Sequence, residues 1–248
     1  MRANHADMPL NAGEPHFTTT QWSVVLAAGE HQRQNAREAL TRLCETYWYP
    51  LYAYVRRRVD NVHEANDLTQ TFFVYLLEKQ TIARADPSRG RFRAFLLTSL
   101  KNFLSNEWNK ARAEQRGGGR TIFSLDFDAA ESRLQIEPTH QLTPDRVYER
   151  RWVMTLLHNV LEELRLELFE AGKLAHFEQF QNALTGEMTS EDYERVSEVL
   201  QITPAGAKQA AYRMRKRYRA LFRDAVAQTV ACDEDLDDEI GKLLSILS

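Results

Sequence analysis

The stretch TSEDYERVSEVLQITPAGAKQAAYRMRKRYRALFRDAV, Thr189 to Val226, decides the fold. Thr189 or Ser190 opens a short helix. Either hydroxyl can accept an otherwise unpaired N–H of the first turn, and Glu191 and Asp192 put negative charge at the positive end of the helix dipole. Tyr193, Val196, Val199 and Leu200 recur at helical spacing and form its expected buried side. Gln201 and Ile202 leave room only for a tight connection. Thr203 then caps a second helix whose first position is Pro204, where a missing N–H costs little. Ala207, Ala211, Met214, Tyr218 and Leu221 recur at four, three, four and three residues, which predicts one apolar face. Lys208, Gln209, Tyr212, Arg213, Arg215, Lys216 and Arg219 stand on the other sides. Two helices, a tight turn and a basic second helix make a helix-turn-helix. In such a hairpin the start of the second helix reaches the major groove, and the cations behind it neutralise phosphate. The plain alternative is a solvated basic helix on a helical bundle.

The charge pattern favours a polyanion. The net charge is only −3 over 248 residues, but its distribution is uneven. Ala205 to Arg223 holds seven bases and no acid, and Arg84 to Arg120 holds nine bases against three acids. The tail DEDLDDE, Asp233 to Glu239, has six acids in seven residues. Two basic blocks and an acidic tail point to a nucleic-acid partner and to self-masking. The tail runs on into Ile240, Leu243, Leu244, Ile246 and Leu247, an amphipathic helix. It either folds back on the basic hairpin and inhibits it or covers an apolar patch.

Moving toward the N-terminus, Trp152, Val153, Leu156, Leu157, Val160, Leu161 and Leu164 give a strong helical face, entered near Pro144. Ala171 to Lys173 break it, and Phe177, Phe180 and Leu184 mark a shorter helix closed by Gly186. A mixed stretch from 117 to 147, begun by Gly117 to Gly119, reads as a linker. Before it, Phe92, Phe95, Leu96, Ser99, Leu100, Phe103 and Leu104 stripe a helix from Phe92 to about Ala113, preceded by the turn DPSRGR, Asp86 to Arg91. Leu40, Leu43, Tyr47, Leu51, Tyr54 and Val55 predict a helix from Ala36 to Val59, with Pro50 expected to kink or restart it. Thr20 caps a short helix in an N-terminal extension. Low Gly and Pro counts and scarce alternation give an all-α chain of two small helical domains joined by a linker. Cys44 and Cys232 are too few for a disulfide framework or a cysteine metal cluster. The start has no signal-peptide pattern, and no apolar run is long enough to span a membrane. The expectation is a cytoplasmic protein.

Between these blocks lies HEANDLTQTFFVYLLEK, His63 to Lys79. Leu68, Phe72, Phe73, Leu76 and Leu77 form its buried face. Asp67, Thr71, Val74 and Glu78 form an opposite stripe at steps of four, three and four, flanked by Glu64 and Gln70. A stripe mixing acid, amide and hydroxyl is either a solvated face or a docking face.

Taken together these stretches resemble a sigma factor of the sigma-70 family, in particular the extracytoplasmic-function (ECF, group IV) kind that has only domains two and four. The resemblance covers residues 36–116 and 148–230. EANDLTQTFFVYLLEK resembles the helix that docks on the RNA polymerase clamp. GRFRAFLLTSLKNFLSNEWNKARAEQR resembles the helix that opens and reads the minus-ten element. ITPAGAKQAAYRMRKRYRALF resembles the recognition helix for the minus-thirty-five element. TQWSVVLAA, AGKLAHFEQFQNALTGE and the acidic tail resemble the additions of extended planctomycete-type members.

The resemblance implies a non-enzymatic initiation factor without cofactor or metal. Its partners would be promoter DNA and RNA polymerase core, met at the β′ clamp helices and the β flap, with no membrane; an anti-sigma factor or a Ser/Thr kinase would be a further partner. It implies an N-terminal extension over 1–35, domain two over 36–116, the linker over 117–147, domain four over 148–230 and a tail over 231–248. Glu64, Asp67, Gln70, Thr71, Val74 and Glu78 would bind core polymerase. The family commonly has acids where this chain has Asn66 and Thr71, so the face is less negative; a phosphate on Thr71 or Thr69 would restore about −1.5 to −2. Arg91, Arg93, Lys101, Asn102, Asn106, Trp108, Asn109, Lys110 and Arg112 would meet the minus-ten strand, Trp108 as wedge or as packing residue. Thr203, Ala205, Lys208, Gln209 and Tyr212 would face the upstream groove, and Arg213, Arg215, Lys216 and Arg219 its phosphates. Two other functions fit parts of the pattern. A helix-turn-helix regulator that binds duplex DNA without polymerase explains the second hairpin alone. A helical adaptor for an acidic protein explains the basic blocks alone.

Overall fold

The computed structural model describes residues 33–78, 81–113, 142–184, 186–230 and 232–247. All regular structure among them is helical, as the sequence predicts: α1 (Arg33–Arg56), α2 (Val62–Glu78), α3 (Phe92–Ala113), α4 (Pro144–Glu170), α5 (Leu174–Phe180), α6 (Ser190–Leu200), α7 (Pro204–Ala227) and α8 (Leu236–Leu247). Single 3-10 turns lie at Ile82–Arg84, Pro87–Arg89, Gln181–Leu184 and Asp233–Asp235. The helix expected at Thr20, the glycines 117–119 and most of the expected linker fall outside the described residues.

Helix α1 supplies the hub. Tyr47, Leu51, Tyr52, Tyr54 and Val55 are almost wholly buried. Pro50 does not restart the helix, and α1 runs through it as one element. Pro50 is itself buried among these side chains, so packing on both sides of the proline outweighs its missing hydrogen bond. Aromatic contacts tie the next helices on: Tyr47 meets Phe92 edge-on at 5.5 Å, and Phe103 of α3 meets Phe72 at 5.5 Å and Tyr75 at 5.4 Å from α2.

Helix α4 is the shared wall of the molecule. Thr143 caps it by accepting from the N–H of Arg146, and Pro144 takes the first position, as read from the sequence. Its first half meets α1 and α3. Arg93 lies over the Trp152 ring at 4.6 Å, Arg151 lies over Tyr49 at 5.3 Å, and the Tyr148 hydroxyl donates to the carbonyl of Arg93 at 2.9 Å. Complete burial holds the Tyr148 phenol well above its ordinary range, so it remains a donor. The second half of α4 meets α7, where the Tyr218 hydroxyl donates to the carbonyl of Leu157 at 3.3 Å and Arg217 pairs with Glu167. The buried apolar side chains accordingly form one contiguous cluster, from Leu43 of α1 to Leu243 of α8.

The α6–α7 hairpin folds by local rules. Thr189, not Ser190, is the cap: its hydroxyl accepts from the N–H of Asp192 while the Asp192 carboxylate accepts from the N–H of Thr189. That backbone N–H, together with the Thr189 hydroxyl, holds the Asp192 carboxyl below the usual carboxylate range. Gln201 ends α6 in the left-handed region, with φ 53° and ψ 44°, and turns the chain toward Thr203. Gly206 packs closely against this cap: a Cβ there would stand 3.2 Å from the capping hydroxyl of Thr203, which would have to shift by a few tenths of an ångström. One expectation fails: Val199 is 58% exposed. The buried centre of α6 runs through Val196 and Ser197, whose hydroxyl bonds back to the carbonyl of Glu194. That centre lies about 100° from Val199 around the helix.

Thr189→Ala is expected to cost about 1 kcal/mol of unfolding free energy, read by urea titration. The Asp192 half of the box is pH dependent. Its pKa is depressed on folding, so its contribution is present above the ordinary aspartate range and is lost as pH falls below that range through the depressed folded value. The gap between wild type and Thr189→Ala should therefore narrow in acid.

Candidate nucleic-acid interface

Among the described residues, α2 and α7 each keep a polar face on the outside. On α7, Thr203, Ala205, Lys208, Gln209, Tyr212, Arg213, Lys216 and Arg219 are all exposed. Steps of three and four place most of them on one stripe, opposite the buried Ala207, Ala211, Met214 and Leu221. Tyr212 is 65% exposed, which is uncommon for so large a ring and suits a contact surface. Lys208 holds its ammonium 5.7 Å from the Tyr193 ring centre, which positions it at the mouth of the hairpin. Arg215 differs from its neighbours. It is half-buried, and its Nε donates to the carbonyl of Ala183 at 2.7 Å, so it fastens the Gln181–Leu184 turn to α7.

Arg223 extends the stripe one turn beyond Arg219 and pairs with Asp237. The expected phosphate set ends at Arg219, although a further step of four in the sequence marks Arg223. Arg217 turns away and joins Glu167 of α4.

On α2, Glu64, Asp67 and Thr71 are exposed, Gln70 is half-buried, and Val74 is 37% exposed. The Asp67 side therefore faces solvent. The Thr71 hydroxyl donates to the carbonyl of Asp67 at 2.7 Å, and Gln70 donates to the Asn66 side chain at 3.2 Å. The Glu78 side chain lies outside the described residues.

On α3 the expected minus-ten residues divide. Asn102, Asn106 and Asn109 are exposed. Lys110 pairs with Glu107 at 2.6 Å in the same helix, and Lys101 pairs with Asp145 at the start of α4. Trp108 is half-buried and packs on the apolar cluster, which is the packing alternative of its two readings. The side chain of Arg112 lies outside the described residues. Arg91 and Arg93, at the helix start, both pair with Glu239 of α8, and Arg93 is buried. Periodicity carried no sign of that pairing.

The helices α1 to α3, with their aromatic hub and the exposed Asp67 stripe, are the part of the chain that can be compared with known families. Residues 43–114 match Sigma-70 region 2. The match begins at the first core leucine of α1, spans all of α2 and ends with α3, and it supports a sigma-70 family sigma factor acting in promoter recognition and transcription initiation. No curated protein and no solved structure matches the chain. Among the described residues, no helix is long and apolar enough to cross a membrane.

Proposed function

We propose that the chain is a sigma factor that docks on RNA polymerase core through α2 and places the α6–α7 hairpin on upstream promoter DNA. The exposed Asp67 stripe, inside the Sigma-70 region 2 segment, carries this reading. Glu64, Asp67, Gln70, Thr71, Val74 and Glu78 form the docking face. An acid and an amide beside an apolar Val suit a cationic partner helix, where charge-assisted bonds act across a partly desolvated contact. Thr203, Ala205, Lys208, Gln209 and Tyr212 address base edges, while Arg213, Lys216 and Arg219 address phosphates. Along α3, Asn102, Asn106 and Asn109 offer amides to unstacked bases, and Arg91 serves the backbone of the opened strand. The protein performs no covalent step. Its part in initiation is positioning, and the polymerase does the chemistry.

Run-off transcription with purified core polymerase and a promoter library tests this. Transcripts that start only when the chain is added support it. DNA binding without such transcripts would leave a helix-turn-helix regulator instead.

A further inference from the structure

The self-masking that the charge pattern suggests takes a specific form in the acidic tail. Glu239 is 0% exposed, and its carboxylate pairs with Arg91 and Arg93 at the start of α3. Two residues earlier, Asp237 pairs with Arg223 at the far end of the α7 stripe. On the apolar side of α8, Leu236 and Leu243 are buried, and Ile240, Ile246 and Leu247 pack on the common cluster. Arg150 of α4 donates to the carbonyl of Leu247 at 3.3 Å and holds the far end. One short helix thus straps α3, α4 and α7, and its acids take cations from both nucleic-acid faces.

A buried ion pair is a weak device for stability, because removing the charges from water offsets most of their attraction. Apolar side chains would hold α8 as well. A carboxylate does what they would not: it presents oxygens to a pair of guanidinium groups as a phosphate does. We propose that α8 is a displaceable clasp, in which Glu239 occupies the Arg91–Arg93 pair in place of a nucleic-acid phosphate and closes the start of α3 until a strand displaces it. This rests on the reading of α3 as a DNA-binding helix. Arg93 is buried and lies over Trp152 while Arg91 is partly exposed, so the cation handed over is chiefly Arg91.

The test uses the full chain and a fluorescent single-stranded DNA of mixed sequence, read by anisotropy. Glu239→Gln should bind about ten-fold tighter, the gain expected when a clasp leaves about a tenth of molecules open. Asp238→Asn removes the same charge from an exposed site on α8 and should give no comparable gain. Against an Arg91→Gln background the Glu239→Gln gain should vanish, which a double-mutant cycle reads directly. Equal gains from Glu239→Gln and Asp238→Asn would overturn the clasp, as would a gain that survives without Arg91. A measurement on the wild type avoids any folding defect of the variants: saturating DNA should speed amide exchange over 236–247, and unchanged exchange overturns the clasp. Binding to core polymerase is measured in parallel. A chain that binds polymerase yet shows no Glu239→Gln gain removes the clasp alone; one that gains on DNA but never binds polymerase removes the sigma reading alone.

Discussion

Trp152→Ala is expected to lower the unfolding free energy by about 3–5 kcal/mol. Trp152 is 1% exposed at the point where α4 meets α1 and α3. Truncation removes more than apolar area. It leaves a void that the surrounding Tyr148, Val153 and Leu156 must collapse around, and they are themselves almost wholly buried. It also takes away the ring that faces the Arg93 guanidinium at 4.6 Å, so a buried cation loses one of its two partners. Thermal melting followed by circular dichroism should show a Tm lower by about 10 °C or more. A change within about 1 kcal/mol would mean that the two helical halves do not share a core.

The second large effect is on DNA. Lys216→Glu combined with Arg219→Glu should weaken binding to duplex promoter DNA by about 100-fold, at about 1.4 kcal/mol for each reversed cation. The slope of log affinity against log salt should fall by about two, because each lost phosphate contact releases about one counterion fewer. Both side chains are exposed on the α7 stripe and take no part in the core, so the melting temperature should stay near wild type. Arg215→Gln makes the contrast. Its bond to the carbonyl of Ala183 predicts a loss of stability with the salt slope almost kept. Anisotropy titrations over a range of salt, beside melting curves, separate the two behaviours.

What the sequence carried and what it did not follow from the range of each interaction. Capping is local, so Thr143, Thr189 and Thr203 mark the starts of α4, α6 and α7 directly in the chain. Helical periodicity is also local, so the buried faces of α3 and α7 were legible. It failed at Val199 because Ser197, a polar residue able to bond to its own turn, occupies the buried position. The restart expected at Pro50 fails for the opposite reason, since tertiary packing overrides a local penalty. The ion pairs join residues distant in sequence. Nothing near Arg93 says that Glu239 will reach it, and nothing near Arg215 says that it will fasten Ala183. In the sequence the candidate surfaces are therefore unions of basic side chains, and the fold divides them. Lys208, Lys216 and Arg219 remain outside, Arg215 and Arg217 are used within the molecule, and Arg91 and Arg93 are held by the tail.

The most direct measurement is the affinity of the labelled full chain for RNA polymerase core, compared with its Asp67→Arg variant. Asp67 is exposed at the centre of the α2 stripe, so the reversal leaves the core of the protein untouched and puts a cation against a cationic partner helix. Wild type should bind, and Asp67→Arg should lose at least about ten-fold in affinity, with unchanged melting. Equal binding by the two proteins, or none by wild type, would contradict the assignment of α2 as the polymerase-docking face.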